Sequence, residues 1–221
     1  KHKVFISGAA NFWFSDRKPL NPNIRSKKMI DQMLNLIEVA YGSTPPQGPP
    51  LLIDPKIEKR AAELLPPGPQ YIGLAPGAGG QNKRWPLENF FALARREVKK
   101  NRVPVTFLGP NETLLKKQVL ENIPEAIIPA DNDSIGHLKS PMLSIALARR
   151  LSAAVANDSG AGHLLAAGDT PLVSLFGPTL PEKFAPSVKP IAIIRSQDYG
   201  GIDMQLIPIE AVTSAIDELV T

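Results

Sequence analysis

The chain has 221 residues, 43% hydrophobic and 21% charged, which fits one ordinary globular domain or one domain plus part of another. A net charge of +4 suits an anionic ligand or surface, and an aromatic content of 6% without a basic–aromatic motif argues against nucleic acid as partner. The absence of cysteine excludes disulfides, thiolate metal sites and a cysteine nucleophile, and no apolar run reaches membrane-spanning length, so the chain reads as cytoplasmic.

The chain opens on Lys1 and enters a strand pattern from His2 to Ser7, which predicts that an N-terminal part precedes it. An irregular stretch follows to Asn23. Met29, Ile30, Met33, Leu34, Ile37 and Ala40 then recur at helical spacing and predict an amphipathic helix from Ser26 to Tyr41. Gly42 to Pro50 is a linker by composition, and Asp54-Pro55 starts a second helix that stops near Pro66-Pro67-Gly68.

From residue 69 the pattern becomes regular. Strands are predicted at Tyr71 to Ala75, Val105 to Leu108, Ala126 to Ile128, Ala153 to Ala156, Leu172 to Phe176 and Ile191 to Ile194. Helices are predicted at Leu87 to Lys100, Glu112 to Glu121, Pro141 to Leu151 with Ser140 as N-cap, Ser159 to Ala167, and Ile209 to Val220. Short apolar strands alternating with helices make an α/β fold, a parallel sheet with helices on both faces. Ligands of such sheets bind at the carboxyl ends of the strands, which points to the loops after Ala75, Leu108, Ala156 and Phe176.

The loop Pro76-Gly77-Ala78-Gly79-Gly80-Gln81-Asn82-Lys83-Arg84-Trp85-Pro86 combines glycines, which allow close backbone approach, with a lysine charge. It is not a P-loop, because Asn82 and Arg84 stand where Gly and Ser or Thr are needed, and it lacks the third Gly of a dinucleotide fingerprint. Trp85 reads as core, and Arg84 as surface residue or ligand alike. In Gly109-Pro110-Asn111-Glu112, the Glu112 carboxylate suits a ribose diol, and an ordinary helix start capped by Asn111 fits equally.

Asn157-Asp158-Ser159-Gly160-Ala161-Gly162-His163-Leu164 joins a buried strand to a helix. The amides of Ser159, Gly160 and Ala161, with the helix dipole, form a phosphate site. Asp158 faces a sugar hydroxyl or orients the loop, and His163 contacts phosphate or hydroxyl in this company. A serine-hydrolase elbow fails because Asn157 replaces its Gly. Asp131-Asn132-Asp133 reads as a turn, the three histidines form no metal-ligand pattern, and no metal or cofactor is expected. The basic runs at 1–3, 25–28 and 95–102 read as solvated faces, with peripheral contact to an anionic membrane as the other reading.

Together, Pro76-Gly77-Ala78 leading to Lys83-Arg84-Trp85-Pro86, the 157–164 motif, and Ala166 to Thr179 resemble the family-9 glycosyltransferases, the lipopolysaccharide heptosyltransferases. The resemblance is good over about residues 70 to 182. It implies the GT-B architecture of two Rossmann-like domains, with this chain supplying the C-terminal, donor-binding domain (69–205), a remnant of the N-terminal acceptor domain and linker (1–68), and a closing helix (206–221).

By the same resemblance an ADP-sugar donor is bound by Gly77, Ala78, Lys83, Glu112, Met142, Asp158, Ser159, Gly160, Ala161 and His163. Lys83 stabilises the leaving diphosphate, Glu112 binds ribose, Asp158 contacts the transferred sugar, and the Ser140-Pro141-Met142 turn approaches the base. The implied reaction is inverting, metal-independent transfer to a lipid-linked saccharide, the lipopolysaccharide core. The resemblance places the general base in the acceptor half. Gly162 departs from the Met or Ser of relatives, with an expected change in packing near the sugar. A non-catalytic nucleotide-sugar-binding module and a two-domain sugar-nucleotide epimerase remain the alternatives.

Overall fold

The computed structural model describes residues 28–43, 51–109, 112–129, 136 and 138–220. The strand pattern at 2–7, most of the linker, Asn111, the 131–133 turn and His137 lie outside the described residues.

Contacts divide the chain into two units, Lys1–Leu52 with Pro181–Ala185, and Ile53–Leu180 with Pro186–Thr221. In the first, helix α1 spans Met29–Tyr41 and ends on Gly42, whose left-handed φ of 78° lets its amide bond the Glu38 carbonyl at 2.7 Å. Its apolar stripe, Ile30, Met33, Leu34 and Ile37, is exposed.

The second unit begins with α2 (Pro55–Leu64). Asp54 caps it by accepting from the Lys56 amide at 2.8 Å, and Pro55 occupies the first turn, where no amide partner is needed. A parallel sheet follows, built from β1 (Gln70–Ala75), β2 (Arg102–Thr106), β3 (Ala153–Asn157), β4 (Leu172–Phe176) and β5 (Ile191–Arg195), in spatial order β2-β1-β3-β4-β5. The intervening helices are α3 (Leu87–Lys99), α4 (Thr113–Asn122), α5 (Pro141–Ala148), α6 (Gly160–Ala167) and the short α7 (Pro181–Phe184) of the first unit, and α8 (Ile209–Val220) closes the chain. The predicted strand at Ala126 to Ile128 reduces to one bridge, Val105 to Ile127, beside the edge strand β2.

Strands β3 and β4 are buried along their whole length, as expected of strands covered on both faces. Alternate residues face opposite layers. Ile72, Leu74, Val155, Val173 and Leu175 join Phe90, Phe91 and Leu93 of α3 and Val212 and Ile216 of α8. Tyr71, Ala75, Ala154, Ala156 and Leu172 join Ala61 of α2, Leu143 and Leu147 of α5 and Leu165 of α6. Full burial of each Leu or Phe contributes roughly 2 kcal/mol. Helix α2, grouped by sequence with the segment before residue 69, thus belongs to the core of the sheet unit, and so does α8.

The basic run 95–102 is not simply a solvated face. Glu97 within it is fully buried and accepts from Arg96 at 2.7 Å and Arg102 at 2.9 Å. Asp217 on α8 accepts from Arg96 at 2.5 Å, Lys100 at 2.6 Å and Arg102 at 3.2 Å. The Arg96 hydrogen bond, with Lys100 and Arg102 behind it, holds the Asp217 carboxyl far below the usual carboxylate range against the opposing effect of burial. This network fastens α8 to α3 and to the start of β2.

Candidate functional site

After β1 the chain moves to one side to form β2, and later returns to the other side of β1 to form β3. The loops after β1 and β3 therefore diverge and leave a crevice at the carboxyl ends of the strands.

The first wall is the loop 76–86. A single 3-10 turn, Gln81–Lys83, places Lys83 at its tip. The Arg84 guanidinium donates to the Ala78 carbonyl through Nε at 3.3 Å and Nη2 at 2.9 Å, so Arg84 braces the loop from within. Trp85 is 1% exposed, packs edge-on against Phe90, and donates from Nε1 to the Ile207 carbonyl at 2.9 Å.

Asn157 joins this loop to β3. Its Oδ1 accepts from the Trp85 amide at 3.0 Å, and its Nδ2 donates to the Pro76 carbonyl at 2.8 Å. One buried side-chain amide thus holds both the entry and the exit of the loop.

The second wall begins with Asp158, whose amide donates to the Leu175 carbonyl at 3.0 Å. Its Oδ2 lies 2.9 Å from Lys83 Nζ and accepts from Thr179 Oγ1 at 2.7 Å. The carboxylate is 9% exposed and the lysine 32%, so Asp158 is largely shielded and Lys83 half-buried. Ser159 caps α6 by accepting from the Gly162 amide at 3.5 Å. A Cβ on Gly162 would meet Ala156 Cβ at 3.2 Å and the Asn157 carbonyl at 3.3 Å. The missing side chain therefore lets α6 approach the end of β3, and the departure at 162 acts on that packing rather than on the open cavity.

Glu112 forms the third wall. It occupies the N-cap position of α4, the place expected of Asn111. Its Oε2 accepts from the Gly109 amide at 2.7 Å. Its carboxylate lies against Gly77, where a Cβ would fall 2.3 Å from Oε1.

These walls enclose a cavity of about 780 Å³, within the range of small-molecule sites. Gly77, Ala78, Glu112, Ser159, Gly160 and Ala161 all line it. Lys83 and Asp158 are paired with each other and are not part of the lining, although Asp158 directly precedes Ser159. Ser140 and Pro141 at the start of α5, and Leu143, Ser144 and Leu147 along it, line the cavity, and Met142 does not. The lining of α6 is Gly160, Ala161 and Leu164, and His163 is exposed beside it. The structure thus leaves Met142 and His163 outside the cavity wall.

Thr179 and Lys139, which also lines the cavity, carry no expectation from sequence. A hydroxyl just after a strand's carboxyl end was the available signal for Thr179. Among the described residues no three His, Asp or Glu side chains group as metal ligands, and no helix is long and apolar enough to cross a membrane.

Residues 5–205 match the family model described as glycosyltransferase family 9 (heptosyltransferase). The chain is 31% identical over 141 residues to lipooligosaccharide heptosyltransferase 2 of Haemophilus influenzae, covering 63% of this chain and 40% of that protein. It is 30% identical over 125 residues to lipopolysaccharide heptosyltransferase 2 of Salmonella typhimurium, covering 56% of this chain and 36% of the relative. A family-9 glycosyl transferase from Veillonella parvula superposes with a TM-score of 0.73 at 21% identity, over 89% of this chain and 60% of that structure. E. coli heptosyltransferase WaaC with ADP superposes at 0.67 and 19% identity, over 94% of this chain and 61% of that one. At such identities the superpositions establish the shared fold. The chain spans about two fifths of the curated relatives' length and three fifths of the solved chains'.

Proposed function

Because the chain belongs to glycosyltransferase family 9, we propose that it is the donor-binding part of a heptosyltransferase that moves a sugar from an ADP-sugar to a lipopolysaccharide core acceptor with inversion. One observation carries this reading. Lys83 lies against the residue that leads into α6, whose first turn lines a cavity that Glu112 also lines. A cation, unpaired helix amides and a carboxylate are what a diphosphate and a ribose require at adjacent points.

In this reading the diphosphate sits on the amides of Ser159, Gly160 and Ala161, and Glu112 accepts from the ribose hydroxyls. The apolar reach of the cavity takes the base, with the adenine preference drawn from the relatives named above. The acceptor oxygen forms a bond to the anomeric carbon as the carbon–phosphate-oxygen bond breaks, and its proton passes to a base on the acceptor-binding half. Negative charge grows on the departing diphosphate. The helix amides are fixed there and Lys83 turns to the diphosphate from Asp158, so together they favour the transition state over the ground state and need no metal to do so. Asp158 holds a hydroxyl of the transferred sugar. The site of action is the cytoplasm, with the lipid-linked acceptor bringing the protein to the inner membrane.

Titration with ADP, UDP and GDP, followed by a transfer assay with ADP-heptose and a core acceptor, tests the reading. Preferential ADP binding and heptose transfer by the full-length protein are expected. Equal affinity for the three nucleotides, or none, would overturn it, and ADP binding without transfer would leave a binding module.

A further inference from the structure

Asp158 Oδ2 receives two hydrogen bonds from donors of different kinds, Lys83 Nζ at 2.9 Å and Thr179 Oγ1 at 2.7 Å. Lys83 has a long side chain on the loop after β1, and about a third of it is exposed. Thr179 has a short, β-branched side chain on the loop after β4, with a stiff χ1.

That second loop is itself held. The exposed Gln197 donates from Nε2 to the Gly177 carbonyl. Gly177 packs so closely that a Cβ would meet Met204 sulfur at 2.7 Å and the Ile202 carbonyl at 2.9 Å. The Thr179 hydroxyl therefore comes from a clamped segment, whereas the Lys83 ammonium comes from a flexible stem. The other carboxylate oxygen, Oδ1, has no hydrogen bond from the described residues.

A diphosphate carries more charge than one carboxylate and competes for the same ammonium. We propose that Thr179 is a positioning residue, which keeps Asp158 aimed at the donor sugar when Lys83 turns from that carboxylate to the diphosphate. The inference rests on the donor-site reading above. Without Thr179, Asp158 either follows Lys83 toward the phosphates, where like charge repels it, or rotates away. With Thr179, Oδ2 stays anchored and Oδ1 remains turned to the sugar hydroxyl.

The test compares wild type, Thr179→Val and Thr179→Ser in the full-length protein, by ADP calorimetry and by heptose transfer from ADP-heptose. Loss of a hydrogen bond to a charged group predicts that Thr179→Val lowers kcat by about tenfold or more. The ADP Kd should change less than about twofold, because the hydroxyl acts on Asp158 and not on the phosphates. Thr179→Ser should restore most of kcat.

Should Thr179→Val fail to fold, Gln197→Met decides, since it frees the Gly177 carbonyl from the surface and should give the same selective loss of kcat. An unchanged kcat in the decisive variant, or a parallel loss of kcat and ADP affinity, overturns the role of Thr179 while leaving the donor site standing. A wild-type protein that binds no ADP overturns both.

Discussion

The Trp85 amide donates to Asn157 Oδ1 at 3.0 Å, and this bond fastens the loop that leaves β1 to the last residue of β3. Asn157→Ala removes that acceptor together with the donor to the Pro76 carbonyl, leaving two buried backbone groups unsatisfied. A loss of roughly 2–6 kcal/mol is expected in urea unfolding, from about 1–3 kcal/mol for each of the two orphaned groups. ADP affinity should fall with it, because Gly77 and Ala78 lose their footing.

Lys83→Ala tests the leaving-group role. If the ammonium serves the transition state, kcat should drop about a hundredfold or more while ADP affinity weakens much less. Steady-state kinetics beside calorimetry separate the two. Unchanged turnover with weakened ADP binding would reduce Lys83 to a ground-state contact.

Gly77→Ala addresses the contact with Glu112. The new Cβ would fall 2.3 Å from Oε1, so the carboxylate must swing away from its place beside the Gly109 amide. A flexible side-chain end moves at little cost, so Tm should hold within a few degrees while ADP affinity falls about tenfold, the value of one charge-assisted hydrogen bond to the ribose. Differential scanning calorimetry and a nucleotide titration on the same preparation give both quantities.

Asp217 predicts a pH dependence. Its folded-state pKa is depressed, so the unfolded chain binds its proton first as pH falls. The stabilisation is complete above the unfolded carboxyl value of about 4, and is lost as pH falls below that value toward the folded one. Asp217→Asn should lower Tm at neutral pH by a few degrees, since a network that is one-third exposed is screened by solvent. The variant should also lose less stability than wild type between pH 4 and pH 2. An identical acid limb in the two proteins would contradict the network's role.

The sheet was legible in the sequence because β1, β3 and β4 are largely apolar runs between Gly- and Pro-containing loops, and the first two walls of the crevice were legible because the loops with Gly77-Ala78 and with Ser159 follow such runs. The Thr179 contact was not. It arises from the parallel pairing of Asn157 with Leu175, which sets the residues after β3 beside those after β4, and no local pattern encodes that register. Of the Ser140-Pro141-Met142 turn, Ser140 and Pro141 line the cavity and Met142 does not, a distinction of helix face that a three-residue turn does not carry in its sequence. Glu97 was invisible for the opposite reason: within a run of bases it reads as solvated, whereas it is buried and bonded by Arg96 and Arg102, the arginines that also reach Asp217 on α8.

The family match stops at residue 205, yet Ile207, Val212 and Ile216 beyond it are 1%, 0% and 0% exposed. Trimming a recombinant protein to the matched span would strip a wall from the hydrophobic interior, cut the carbonyl that receives the Trp85 indole, and remove the carboxylate that Arg96, Lys100 and Arg102 share. Helix α8 behaves as a keystone, so any shortened version must keep it whole.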